Sequence, residues 1–256
     1  MSIKKKILDN KLTIGSWISF PYSGTCEIMA KSNFDWLVID MEHTGIDITG
    51  AENLIRIIDL AGSVPLVRIP NNDPNVIKKV MDLGAHGILV PMVLTKEDAE
   101  KAVESVYYPP KGKRGVGLYR AQEYGKSFTQ YNEWQKTEPI VIAQIEHIKA
   151  VENFDKILNV DGIDGFIIGP YDLSGSLNLP GQFNHPLVME ALDSLEESLK
   201  ASKKIGGYHV VQPNISELEN KISRGYKFMA FGADMIFFSN ELSQTSDALN
   251  GIKEVT

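Results

Sequence analysis

The sequence predicts a (β/α)8 TIM barrel, of the α/β class, on three observations. Short β-branched or apolar runs alternate with amphipathic, helix-like segments along the whole chain, the pattern of a parallel sheet. Eight such runs fit into 256 residues, a usual length for a barrel of this kind in one piece. The first run leads into Phe20-Pro21-Tyr22-Ser23-Gly24 rather than a glycine-rich phosphate turn, which disfavours an open doubly wound sheet. No linker or low-complexity stretch divides the chain, so residues 1–256 are expected to form one domain.

In chain order, the first strand is expected over 13–19, where Thr, Ile and Trp favour a pleated, half-buried surface. Cys26 falls in a helix-like run after it, where a small buried hydrophobe is its expected role. Strands follow over 36–40 (Trp-Leu-Val-Ile-Asp), 65–69 (Pro-Leu-Val-Arg-Ile) and 87–92 (Gly-Ile-Leu-Val-Pro-Met). The second half repeats the pattern at 140–145, 165–168, 205–210 and 227–231. Between them, apolar residues recur at helical spacing over 51–61, 74–83, 96–105, 150–158, 187–202 and 215–224. One connection is oversized. From 107 to 138 the chain reads Tyr-Tyr-Pro-Pro-Lys-Gly-Lys-Arg-Gly-Val-Gly and then Tyr-Arg-Ala-Gln-Glu-Tyr-Gly. Loops of that length are functional or disordered, and the aromatic and Arg content speaks for an ordered wall or lid.

Charge and composition exclude several classes. With 26 basic and 33 acidic residues the net charge is −7, against the basic footprint of a nucleic-acid binder. No apolar run reaches the roughly 20 residues that span a bilayer, so no membrane partner is expected. The start has a basic patch at 4–6 with no apolar stretch behind it, unlike a secretory signal. A single cysteine excludes an intrachain disulfide and a cysteine zinc site, and a cytoplasmic setting is expected.

Barrel enzymes carry their catalytic groups at the carboxyl ends of the strands. Those ends offer Asp40-Met41-Glu42-His43 after the second strand and Arg68-Ile69-Pro70 at the third. The fifth offers Gln144-Ile145-Glu146-His147, and the sixth Gly169-Pro170-Tyr171-Asp172. Any one of these has an ordinary explanation, as a helix cap or a salt-bridge partner. Four on one rim point to a site. Glu146 and Asp172 would give two oxygen ligands from adjacent strands, with no His or Cys cluster around them. That donor set suits a hard divalent ion such as Mg²⁺ or Mn²⁺. Such an ion polarises a carbonyl and favours an enolate beside it. Arg68 would add positive charge where the enolate develops. His43 would move a proton, because imidazole titrates near neutrality.

These residues resemble the metal-dependent pyruvate aldolases of the HpcH/HpaI family. The resemblance runs from Gly15-Ser16-Trp17 to the Phe-Gly-Ala-Asp stretch at 231–234. Its most specific pieces are Asp-Met-Glu-His at 40–43, Val-Arg-Ile-Pro at 67–70, the Tyr-Tyr-Pro-Pro stretch at 107–117, Gln-Ile-Glu at 144–146 and Ile-Gly-Pro-Tyr-Asp-Leu-Ser at 168–174. The resemblance implies Glu146 and Asp172 as ligands of Mg²⁺, Mn²⁺ or Co²⁺, Arg68 as enolate stabiliser and His43 as proton acceptor. It implies that Asp82 raises the basicity of His43, and that Gln144 and the amides of Tyr171 and Asp172 contact the keto acid. Trp17 matches a pocket aromatic, and the long loop with Arg120 and Tyr124 would line the aldehyde's pocket. The chain departs from the family in having Met41 where Gly is frequent and Tyr171 where a small residue is common. His86 stands where some relatives have Gln, and a structural role is expected for it. His147, His185 and His209 have no ligand spacing.

The expected reaction is reversible cleavage of a 4-hydroxy-2-oxo acid to pyruvate and an aldehyde through an enolate of pyruvate. The alternatives are another enolate reaction on the same site, such as oxaloacetate decarboxylation or a Claisen-type lyase, and a catalytically silent barrel subunit. A silent barrel has no physical need of His43, Arg68, Asp82, Glu146 and Asp172 together. The stretch at 237–252, opening on Phe237-Phe238, is expected to be an eighth helix with an apolar face to bury. By resemblance it would be exchanged between subunits of a homohexamer.

Overall fold

Eight parallel strands close on themselves in chain order, with β8 paired back to β1. They are β1 (Thr13–Ile18), β2 (Trp36–Asp40), β3 (Val64–Arg68), β4 (Gly87–Val90), β5 (Ile140–Ile145), β6 (Gly165–Ile168), β7 (Ile205–Val210) and β8 (Phe228–Ala233). This is a computed structural model that describes residues 1–255. Every strand end lies within two residues of its expected place. On the site's rim β8 runs two residues further, to Ala233, and β4 stops two residues early, at Val90, because Pro91 has no N–H to continue the ladder.

The helices between strands are α2 (Ser23–Ala30), α3 (Ile48–Leu60), α4 (Pro74–Asp82), α5 (Lys96–Val106), α10 (Pro186–Ala201) and α11 (Ile215–Ser223). The helix expected over 150–158 is broken into α7 (Ile148–Glu152) and α8 (Phe154–Leu158). At the break, Asn153 Nδ2 donates to the carbonyls of Leu94 and Lys149. The oversized connection is ordered, with a 3-10 helix at Arg120–Gly125 and α6 (Phe128–Thr137). A short α9 (Pro170–Ser176) follows β6 directly.

Two apolar layers hold this arrangement. The outer one lies between strands and helices; the inner one fills the barrel. Inside, the Trp36 and Phe228 rings stack at 4.1 Å. Gly15 is required there, because a Cβ would fall 2.1 Å from the Trp36 indole. The inner layer also takes Ile3 and Ile7 from α1 (Ile3–Leu8), a helix the sequence reading did not anticipate. Lys4, buried beside them, donates from Nζ to Asp164 Oδ1 and the Pro139 carbonyl, both at 2.6 Å. The amino-terminal mouth is thereby plugged, and the carboxyl ends of the strands form the open face.

The last helix, α12 (Asp234–Val255), starts three residues before its expected place. Asp234 fixes that start by accepting the N–H groups of Ser19, Phe20 and Met235. Phe237 packs against Phe34 and Phe231. From residue 241 to residue 253 every residue is exposed, so the helix leaves the barrel after its second turn. Among the described residues, no helix is long and apolar enough to cross a membrane.

Candidate active site

A cavity of about 370 Å³ opens at the carboxyl ends of the strands, within the ~300–1,000 Å³ range of small-molecule sites. Trp17, His43, Arg68, Gln144, Asp172 and His209 are among its walls. Most of the residues singled out in the sequence therefore meet in one place.

The best-defined feature is one the sequence reading left without a role. Asp40, at the end of β2, takes Arg68 in a two-pronged pair, Nε to Oδ1 at 2.9 Å and Nη2 to Oδ2 at 2.7 Å. The two residues are register partners on adjacent strands, which places the fork by backbone alone. Asp40 Oδ1 also accepts the N–H of Glu42 and of His43, at 3.0 and 3.3 Å, and so shapes the turn that presents both. The Arg68 guanidinium lies over the Trp17 ring at 4.4 Å, a cation–π contact that further fixes it. Its remaining Nη1 is 3.3 Å from Glu42 Oε2, an ion pair without hydrogen-bond geometry. Burial outweighs that attraction and pushes Glu42 up to about 7, with Glu146, Asp40 and Asp172 adding repulsion.

Glu146 is buried at the end of β5, 2% exposed. Oε1 accepts the Met92 N–H at 2.7 Å, and Oε2 accepts from the Gln144 amide. Burial raises its pKa, opposed by those two hydrogen bonds. Gly169, the residue after β6, makes room for it: a Cβ there would lie 2.8 Å from Oε2. Asp172 is exposed in the first turn of α9, two residues beyond Pro170. The N–H groups of Tyr171 and Asp172 have no partner within that turn. Four carboxylates, from Asp40, Glu42, Glu146 and Asp172, thus surround a single guanidinium. Arg68 is shared between Asp40 and Glu42, whereas Glu146 and Asp172 have no ion-pair partner among the described residues, a donor pair that would suit a divalent cation. Among the described residues no group of three or more His, Cys, Asp or Glu gathers as metal ligands. A cation here would rest on two carboxylates and leave its other positions to water and substrate.

His43 stands on the rim with its side chain 59% exposed. Asp82 does not approach it within this chain. Asp82 ends α4, at the opposite end of the barrel, and holds Arg114 Nη1 at 2.9 Å. Burial raises its pKa, and Arg114 opposes that rise. An effect of Asp82 on His43 would have to come from a second copy of the chain. The long loop is displaced in the same way. Arg120 donates to Asp59 Oδ2 at 2.6 Å and to the Leu83 carbonyl at 3.1 Å, at the ends of α3 and α4. Arg120 and Tyr124 line a wider cleft of about 800 Å³ beside the entry to β4, away from the open face. Arg120 and Tyr124 thus stand away from this chain's own cavity, and a place for them beside an aldehyde pocket would have to come from a second copy of the chain. His86 belongs to that distant cleft, 5.3 Å from Trp134 and 3.8 Å from Asp59. His147 and His185 cap α7 and α10 by accepting backbone N–H groups. The Cys26 thiol is buried, which pushes its pKa up to about 12.

Residues 14–241 match the family model described as HpcH/HpaI aldolase/citrate lyase. The chain belongs to this family. A 2-keto-3-deoxy-L-rhamnonate aldolase of Klebsiella pneumoniae subsp. pneumoniae is 37% identical, covering 94% of this chain and 90% of the relative. A hydroxypyruvate/pyruvate aldolase of Roseobacter denitrificans is 34% identical, covering 93% of each. Among solved structures, an HpcH/HpaI aldolase/citrate lyase family protein from Burkholderia cenocepacia superposes with a TM-score of 0.90 at 29% identity, covering 98% of this chain and 99% of that one. This HpcH/HpaI barrel is accordingly a carbon–carbon lyase of the aldolase type.

Proposed function

We propose that the protein cleaves a 4-hydroxy-2-oxo acid reversibly to pyruvate and an aldehyde at the cavity on the open barrel face, with a divalent cation held by Glu146 and Asp172. The observation that carries this reading is the surplus of carboxylates around Arg68. When bound, the cation supplies Lewis acidity to the oxygens of the keto acid. The chain's own groups do the rest. Gln144 and the first-turn amides of α9 orient the keto acid. Arg68, already fixed by Asp40 and Trp17, places positive charge where the enolate oxygen develops. In cleavage, the C4 hydroxyl gives its proton up towards His43, the C3–C4 bond breaks, and its electrons enter the enolate while the aldehyde departs. Protonation at C3 then yields pyruvate. His43, on the rim, can exchange that proton with solvent.

The test is condensation of pyruvate with a panel of aldehydes in the presence of Mg²⁺, Mn²⁺ or Co²⁺, with oxaloacetate run alongside for decarboxylation. A 4-hydroxy-2-oxo acid is the expected product. Absence of both an adduct and exchange of the pyruvate methyl protons, under every metal, would overturn the aldolase reading.

The same proposal includes a homohexamer with α12 exchanged between subunits. Met235, Phe238, Leu242 and Leu249 are 45–59% exposed and repeat at three-, four- and seven-residue spacing along one side of α12. The first three line a groove of about 590 Å³ together with Phe20 and Ser246. The single apolar face of an amphipathic helix is stable only when covered. Mass photometry is expected to give about six chains, and deletion from Ser239 onward to give aggregated protein. A folded, fully active monomer would exclude the exchange.

A further inference from the structure

We propose that His209 is a specificity-determining residue for the aldehyde half of the substrate, its Nδ1 accepting a hydrogen bond from a hydroxyl group of a hydroxyaldehyde. The proposal rests on the aldolase reading above.

His209 lies near the end of β7 and forms part of the active-site wall. Its Nε2 is 3.0 Å from the Gly232 carbonyl oxygen. A carbonyl only accepts, so Nε2 carries the hydrogen and Nδ1 keeps a lone pair. Burial holds the ring's pKa down at about 4, helped by the Arg68 charge and opposed by the Gly232 carbonyl and Asp40. The ring is therefore neutral near pH 7, with its tautomer fixed. Nδ1 has no hydrogen-bond partner among the described residues, nor is it one of the buried atoms left without one. It is thus not sealed off, in a ring that lines the cavity.

The strand order decides which half of the substrate it meets. Arg68, Gln144, Glu146 and Asp172 come from β3, β5 and β6 and are the groups assigned to the keto acid. The opposite walls come from β7 and β1: His209, Val211 and Trp17. The Trp17 ring lies 5.2 Å from that of His209, and its Nε1 is buried without an acceptor. This side therefore offers one acceptor and apolar surface, and the cation beside it, the Arg68 guanidinium over Trp17, is already paired with Asp40 and Glu42. A hydroxyl, which can donate to Nδ1, fits this wall. A carboxylate on the aldehyde would face the Nδ1 lone pair, and Arg68 is already shared between Asp40 and Glu42, so a semialdehyde of a dicarboxylic acid is disfavoured.

The experiment compares kcat/KM for glyceraldehyde, propionaldehyde and succinic semialdehyde in condensation with pyruvate and Mn²⁺. The wild type is expected to rank them in that order. His209→Phe keeps a ring beside Trp17 but no acceptor, and the glyceraldehyde-to-propionaldehyde ratio should fall roughly ten-fold, carried by KM for the aldehyde. His209→Asn restores an acceptor and should recover most of the ratio. Thermal melting confirms that each variant is folded, and the Asn variant keeps the question open to test if Phe does not fold. Unchanged ratios in both variants, or a wild type that prefers propionaldehyde or the semialdehyde, would overturn the proposal. Pyruvate methyl-proton exchange by the wild type, which needs no aldehyde, separates that outcome from failure of the aldolase reading.

Discussion

Asp172→Asn is expected to lower pyruvate enolisation and aldol cleavage together, by roughly 10³-fold or more. That figure follows from several kcal/mol of charge stabilisation supplied by a catalytic metal, at 1.36 kcal/mol for each factor of ten. Asp172 is the cleaner of the two carboxylates to remove. It is exposed, and among the described residues its side chain has no hydrogen bond that its loss would break. Glu146→Gln is expected to match it in rate but to cost stability as well. Both Glu146 oxygens accept from N–H donors, Met92 at 2.7 Å and the Gln144 amide. A glutamine would turn an NH2 group against one of them and leave buried donors facing each other, worth ~1–3 kcal/mol. The measurement is loss of the pyruvate methyl signal in D2O across a Mn²⁺ titration, with thermal melts of the same samples. Asp172→Asn should need far more metal and never reach the wild-type rate. Full wild-type activity after exhaustive chelation, with metal content confirmed near zero, would remove the cation from the mechanism.

The barrel was legible in the sequence because its strands are written locally. Runs such as Trp-Leu-Val-Ile at 36–39 are buried throughout, and their ends are marked by Asp, Pro or Gly within the same few residues. The reading failed where a residue's role depends on partners far along the chain. Asp40 looked like one polar residue among several at a strand end; its fork to Arg68 spans 28 residues and exists only through the register of β2 on β3. The two residues hold equivalent places at the ends of consecutive strands, and that pairing was the available signal. Asp82 and Arg120 lie away from this chain's own rim for a simpler topological reason. Each helix after a strand returns the chain to the amino-terminal end, so a residue ending α4 cannot reach the rim of its own barrel. The inner plug was missed because Ile3 and Ile7, four residues apart, sit among lysines that read as a solvated terminus. Lys4 is in fact buried against Asp164.

Arg68→Lys is expected to slow both aldol cleavage and pyruvate methyl-proton exchange by roughly 10²–10³-fold, the loss seen when an oxyanion donor is removed. The substitution preserves charge, so the effect isolates geometry. The guanidinium spends Nε and Nη2 on Asp40 and rests on Trp17, which aims Nη1 into the cavity side that also holds Glu42. One ammonium cannot span both Asp40 oxygens and still direct a donor at the substrate. Arg68→Met goes further and leaves Asp40, 5% exposed, without its counter-charge, a loss of ~3–5 kcal/mol in stability. Pairing it with Asp40→Asn should return much of the stability but none of the rate, because the positive charge at the enolate is still missing. His43→Gln offers the contrast, since it should mainly slow the proton transfer from the C4 hydroxyl in cleavage. If Arg68→Lys exchanged pyruvate protons at nearly the wild-type rate, Arg68 would be the counter-ion that holds Asp40 and the β2 turn in place. Stabilisation of the enolate would then have to come from elsewhere in the cavity.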